Sequence, residues 1–158
     1  MENSIVDLLS ELVRINSVNL TLSHGPGENE IATFIRHRLD ELELNPKIQT
    51  VAPDRHNVIA VVPGANPVKS LLLNGHLDTV GVEGMDDPFI LQQAGDRLYG
   101  RGAYDMKGSL AVMLLLAGFF GRQPPPIDIL FTFVADEEDK SLGMDYLVEK
   151  WLPDISPP

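Results

Sequence analysis

Cysteine is absent from this chain of 158 residues, which excludes disulfides and thiolate-bound zinc. A metal ion could be held only by imidazole and carboxylate. Bases are scarce too: 12 Lys and Arg stand against 23 Asp and Glu, a formal charge of −11. That balance argues against a nucleic-acid partner and against an anionic membrane surface. Most of the charge reads as a solvated acidic surface, and divalent cations among the carboxylates would neutralise part of it. There is no internal repeat and no low-complexity run. The longest apolar run, Leu110 to Phe120, is too short for a bilayer and reads as a buried helix. The opening Met1-Glu2-Asn3-Ser4-Ile5-Val6-Asp7 lacks the basic start of a signal peptide, so a cytoplasmic enzyme is expected.

What is present has the size and apolar content, 44% of residues, of one globular domain. Ser4 can cap a helix on which Ile5, Leu8, Leu9, Leu12 and Val13 recur at helical spacing. A second helix carries Ile31, Phe34, Ile35, Leu39 and Leu42 and stops at Asn45-Pro46. Strands are predicted over Lys47 to Val51, Asn57 to Val62 and Ser70 to Asn74, with a turn at Pro63 to Pro67 between the last two. Phe89 to Gln92 and Arg97 to Tyr99 form a candidate hairpin around Ala94-Gly95-Asp96. Lys107 to Phe120 reads as the buried helix, Ile127 to Val134 as a central strand covered on both faces, and Ser141 to Trp151 as a last helix. The pattern predicts an α/β fold with a mixed, mostly parallel sheet between helical layers.

Three stretches carry the chemistry. In Gly75-His76-Leu77-Asp78-Thr79, His76 and Asp78 lie on one side of extended backbone at a strand's carboxyl end. Asp78 can accept the second ring N–H of His76 or brace the backbone beside it. Read alone, this is more often a surface turn. In Gly100 to Gly108, glycines surround Asp105 and permit tight turns that bring one carboxylate into a cleft. A cap on the following helix is the plain alternative for Asp105, and Lys107 reads as solvated or capping. In Asp136-Glu137-Glu138-Asp139, a solvated acidic turn competes with a division of labour. Extended backbone would send Glu137 and Glu138 to opposite sides, one toward metal and one toward substrate as a proton shuttle of raised proton affinity.

Other candidates are weaker. His24 reads as a loop residue, His37 as lying on a polar helix face, and His56 as sitting beside Arg55 in a turn. No Gly-x-Ser-x-Gly elbow, dinucleotide fingerprint or phosphate loop is present. Trp151 and the phenylalanines show no base-stacking pattern and read as core.

The ordered set of motifs resembles the zinc-dependent metallopeptidase and amidohydrolase family of acetylornithine deacetylase, succinyl-diaminopimelate desuccinylase, aminoacylase and carboxypeptidase G. It runs from Gly75-His76-Leu77-Asp78-Thr79-Val80 through Asp87-Pro88-Phe89 and Arg97 to Gly108, and ends at Ala135-Asp136-Glu137-Glu138. The opening Val13 to Asn19 is similar to the family's first helix and loop. The resemblance implies a zinc-exopeptidase-like fold with two Zn2+ per site, Co2+ and Mn2+ being substitutes. His76 would hold one zinc, Asp105 would bridge both and Glu138 would hold the second. Glu137 would be general base on a metal-bridging water and Asp78 would orient His76, while the peptide bond after Asp105 would be cis. The implied reaction is amide hydrolysis of an N-acyl amino acid or small peptide, of deacetylase, desuccinylase or carboxypeptidase type.

Family members are more than twice as long, with further acidic and histidine ligands and a smaller lid or dimerisation domain. The resemblance therefore reads residues 1–158 as the N-terminal portion of a catalytic domain, incomplete C-terminally and without that smaller domain. Three ligands, one of them shared, do not complete two tetrahedral zinc sites. Two readings stay open: an inactive fragment of an amidohydrolase, or a non-catalytic α/β module with weak metal binding or a protein-interaction role. A truncated sheet would expose apolar edges, so self-association into a homo-oligomer is expected.

Overall fold

Ser4 begins the first helix by a reciprocal cap. Its hydroxyl accepts the Asp7 N–H at 3.1 Å, and the Asp7 carboxylate accepts the Ser4 N–H at 3.1 Å. The computed structural model describes residues 4–65 and 69–151. Helix α1 (Ile5–Arg14) buries Leu8, Leu9, Leu12 and Val13, and α2 (Asn29–Glu41) buries Ile31, Ala32, Ile35 and Leu39. The strands β1 (Lys47–Ala52), β2 (Arg55–Val62), β3 (Ser70–His76) and β6 (Asp128–Val134) form one sheet in the order β1-β2-β6-β3. A separate hairpin joins β4 (Gln92–Ala94) to β5 (Arg97–Tyr99). It starts later than the sequence suggests, because Phe89 lies in the preceding turn.

The sheet is mixed, but "mostly parallel" needs correction. β1 pairs antiparallel with β2, β2 pairs antiparallel with β6, and only β3 runs parallel to β6. Connection length accounts for the β1–β2 and β3–β6 pairings. A tight turn at Pro53-Asp54, with Asp54 at φ 57°, reverses the chain between β1 and β2. The connection from β3 to β6 holds a helical crossover, α3 (Gly108–Arg122), which parallel pairing requires, whereas β2 and β6, also far apart in sequence, pair antiparallel. Asn66 and Pro67 of the expected turn lie outside the described residues.

Strand β6 is the central strand its composition predicts, buried from Ile129 through Val134. Its Ile129, Phe131 and Phe133 join Val58, Ala60 and Val62 of β2 beneath α1, α2 and α3. The opposite face has a thinner cover. There Ile59 and Val134 meet Leu147, Met144 and Trp151 of α4 (Leu142–Tyr146) and the wider turn that continues it. Val61 and Leu71 are exposed, Leu71 on the outer strand β3. The helical stretch Ala103–Arg122 has the length and composition to cross a membrane. Yet Leu110, Ala111, Met113, Leu114 and Ala117 are buried in the core, which is the buried-helix reading.

This framework sets the site. Side chains of β3 and β6 stand in register, and His76 at the end of β3 lies opposite Val134 at the end of β6. Beyond those ends, Leu77 N–H donates to Val134 carbonyl at 2.8 Å. The loop after α1 is stitched to the next residues: Thr79 N–H donates to Ser17 carbonyl at 3.0 Å, and Asn19 N–H to Thr79 carbonyl at 2.8 Å. Three separate segments thus meet at the carboxyl ends of two parallel strands, where α/β sheets carry their sites.

Candidate metal centre

His76 is buried at the end of β3, and both ring nitrogens are engaged. Nδ1 lies 2.9 Å from the Asp78 carbonyl oxygen, and Nε2 lies 2.8 Å from Asp105 Oδ1. Glu137 Oε2 is 3.9 Å from the same Nε2. Ligand atoms of His76, Glu137 and Glu138 all lie within 4.8 Å of one another. The three sequence motifs therefore converge on one imidazole.

Asp105 reaches the ring because its loop is irregular. Asp105 and Met106 have non-helical backbone, and the Asp105–Met106 peptide bond is cis, as the resemblance implies. Gly102 turns the loop at φ 74°, where an added Cβ would sit 2.7 Å from Thr79 Cγ2. Helix α3 is preceded by Lys107 in the capping position, so Asp105 is not the helix cap. Lys107 itself is a correction: it is 1% exposed, and Nζ donates to the Ile15 carbonyl at 2.7 Å. Burial first, then the charge of Arg101, lowers its pKa to about 7 against the pull of Glu30. This lysine ties the Asp105 loop to the end of α1.

Glu137 and Glu138 are not in extended backbone. Asp136 takes a left-handed conformation, φ 66°, and the next residues form a turn. Strand geometry therefore does not divide the pair. Instead the turn aims both N–H groups at Asp78: Glu137 N–H donates to Oδ1 and Glu138 N–H to Oδ2, each at 3.0 Å. The spacing predicted the Asp78 carboxylate on the His76 ring, but the backbone carbonyl takes that place and Oδ1 stands 3.6 Å from Nδ1. The Asp78 carbonyl fixes Nδ1 of His76, and its carboxylate holds the Glu137-Glu138 turn. That carboxylate also accepts Asn19 Nδ2 at 2.7 Å.

Charge follows geometry. Burial opposes protonation of His76, but hydrogen bonds to Asp78 and Asp105 prevail and push its pKa up to about 9. Burial would raise Asp78, yet its bonds to His76, Asn19 and the two turn N–H groups hold it below the usual carboxylate range. Burial raises Glu138, helped by Asp105, Asp78 and Glu137 and opposed by His76. The pocket of carboxylates thus stabilises positive charge at Nε2, whether a proton or a coordinated cation. One imidazole nitrogen, its other nitrogen fixed, with carboxylates around it is a donor set that suits zinc.

A second acidic group lies behind the first. Ligand atoms of Glu28, Asp78 and Asp136 are also within 4.8 Å of one another, and all three residues are buried. This group already has its cation. Arg55 Nε and Nη2 donate to Glu28 at 3.1 and 2.8 Å, and Nη1 lies 2.6 Å from Asp136 Oδ1. Asn19 Nδ2 also donates to that Oδ1, at 3.0 Å. Burial opposes the charge on Arg55, but Glu28 and Asp136 outweigh it and raise its pKa. Sequence reading missed Glu28, Asn19 and Arg55, and took Asp136 for part of a solvated turn and Arg55-His56 for a turn. Both of the latter lie in β2. Only an alternation of buried residues that includes Arg55 and Asn57 could have signalled it. His24 and His37 are exposed as expected, and His56 is half-buried beside Thr50.

An α/β fold with an imidazole and carboxylates gathered beyond parallel strand ends defines a metallohydrolase class of site. Residues 72–157 match peptidase family M20/M25/M40, more than half of the 158 residues, and the chain belongs to that family of metallohydrolases. A probable succinyl-diaminopimelate desuccinylase of Staphylococcus aureus is 29% identical over 161 residues, covering 98% of this chain and 38% of its own. An uncharacterized metallohydrolase of Methanococcus maripaludis is 33% identical over 167 residues, covering 95% and 40%. The crystal structure of human carnosine dipeptidase 1 superposes with a TM-score of 0.71 and 26% identity, over 92% of this chain and 34% of that one. The chain spans about two-fifths of the length of the curated relatives it matches.

Proposed function

We propose that this chain supplies the His76, Asp105, Glu137 and Glu138 part of a zinc-dependent amide hydrolase acting on an N-acyl amino acid or small peptide. The observation that carries it is the convergence on His76 Nε2, with Asp105 at 2.8 Å and Glu137 at 3.9 Å. His76, Asp105 and Glu138 are the residues that would hold zinc, with Asp105 as the shared ligand. When bound, zinc supplies Lewis acidity toward the amide carbonyl and makes water a stronger acid near neutral pH.

The chain's own groups do the rest. Asp78, through its carbonyl, keeps the Nδ1 proton of His76 in place and leaves Nε2 as the donor atom. Glu137, half-exposed at the turn, takes a proton from the attacking water and delivers it to the departing amine. The carbon–oxygen bond forms first as the carbonyl π bond opens; the tetrahedral adduct then collapses, the carbon–nitrogen bond breaks, and the proton taken from water leaves on the amine. The desuccinylase and dipeptidase relatives support the substrate class as an analogy.

The test is hydrolysis of N-acetyl and N-succinyl amino acids and of dipeptides by zinc- or cobalt-loaded protein. Glu137→Gln should abolish turnover while leaving zinc affinity within about threefold, since a shuttle is not a ligand. Loss of zinc in that variant would make Glu137 a ligand instead. A second reading is favoured by the coverage of only 38% of the first relative: the chain binds metal through this cluster without turnover. Zinc binding with no hydrolysis of any of these substrates would select it.

A further inference from the structure

We propose that Arg55 is a positioning residue for the Glu137-Glu138 turn, acting with Glu28 through Asp136; the inference rests on the hydrolase reading above. The turn depends on Asp136 holding a left-handed backbone, φ 66°, which a non-glycine residue seldom takes unless its surroundings fix it. Four contacts hold Asp136 among the described residues. Arg55 Nη1 meets Oδ1 at 2.6 Å, Asn19 Nδ2 meets the same oxygen at 3.0 Å, and the Asp136 N–H donates to Glu28 Oε1 at 3.1 Å. Its carbonyl accepts the Ser141 N–H at 2.6 Å. Asp136 Oδ2 is buried with no hydrogen-bond partner among the described residues, so charge compensation falls to Arg55.

The consequence reaches the metal ligands. With Asp136 reversed, the next two N–H groups point at Asp78, and the Asp78 carbonyl fixes His76. One guanidinium thus sets both the carboxylate side and the imidazole side of the cluster. The fork matters, because Nε and Nη2 bind Glu28 side by side while Nη1 remains for Asp136. A lysine ammonium carries the same charge but cannot span both carboxylates in this geometry. The same guanidinium explains why Glu28, Asp78 and Asp136 do not form a second cation site: their positive charge is built in.

Two readouts separate positioning from plain core stability. The first is amide hydrogen exchange by NMR on metal-free protein, comparing wild type with Arg55→Lys and Asp136→Asn. Asparagine keeps the left-handed preference and the shape but removes the charge that pairs with Arg55, so it breaks the ion pair alone and serves if the lysine variant does not fold. Exchange at Glu137 and Glu138 should rise about tenfold or more, while Phe131 and Phe133 in β6 stay within about twofold. The second is cobalt titration followed by visible absorption. Affinity should fall about ten- to a hundred-fold with an altered band shape, as for other residues that orient ligands. Wild-type protection at Glu137 and Glu138 in a folded variant would overturn the proposal, as would equal acceleration in β6. If wild type takes up no cobalt, the hydrolase reading fails, while the exchange comparison still decides the role of Arg55.

Discussion

Two acidic clusters lie back to back in this molecule and share Asp78, yet they differ in one respect that decides what each can do. Glu28, Asp78 and Asp136 are sealed in the interior and closed by Arg55. His76, Glu137 and Glu138 lie at a rim, with Asp105 beside His76, Glu137 exposed and Glu138 half-buried. Like charge is costly in both places, but in the sealed cluster Arg55 already pairs with two of the three carboxylates, while the open one is where the proposed cation would enter. An acidic group is therefore read by what already faces it, not by counting its carboxylates. On the proposed reading the sealed cluster specifies shape and the open cluster offers chemistry.

Breaking the sealed cluster should have the largest effect on stability. Glu28→Ala strips a buried guanidinium of its paired carboxylate, and urea unfolding should show a loss of about 3–5 kcal/mol. Next comes a change at the open cluster's centre. His76→Ala should cut zinc affinity by at least about a hundredfold in calorimetric titration, since it removes the one imidazole donor to a soft-borderline ion. Metal itself should act on the folded state alone. Zinc at about a hundred times its dissociation constant should stabilise wild type by about 2.7 kcal/mol, and a chelator should reverse it. The same addition should stabilise His76→Ala by no more than about 0.4 kcal/mol.

The smallest expected effect sharpens the comparison. Asp139 belongs to the same acidic run but faces Thr21, whose hydroxyl donates to it at 2.6 Å at the surface. Asp139→Asn should change stability by less than about 1 kcal/mol and leave zinc affinity unchanged. A marked loss of zinc in that variant would extend the open cluster beyond the residues assigned to it.

The elements were legible because each obeys a local rule. Ser4 and Asp7 form the cap that their spacing announces, and the apolar run of β6 is buried on both faces. Strand direction was not legible, since β2 pairs antiparallel with β6 across the intervening β3 and α3, and nothing local marks that pairing. The convergence of His76, Asp105, Glu137 and Glu138 was readable from motif order. What held them was not: Asn19 is 59 residues from Asp78, and Glu28 is 108 residues from Asp136. Nothing local marks those partners. Lys107 misled for a related reason, because a lysine among glycines reads as solvated until a carbonyl 92 residues away is found to receive it.

Zinc stoichiometry and affinity in paired samples of wild type, His76→Ala and Asp139→Asn test the central claim most directly. The claim predicts tight uptake by wild type and Asp139→Asn, and loss in His76→Ala at unchanged secondary structure. Equal uptake by folded His76→Ala would contradict it and place any bound metal elsewhere in the molecule.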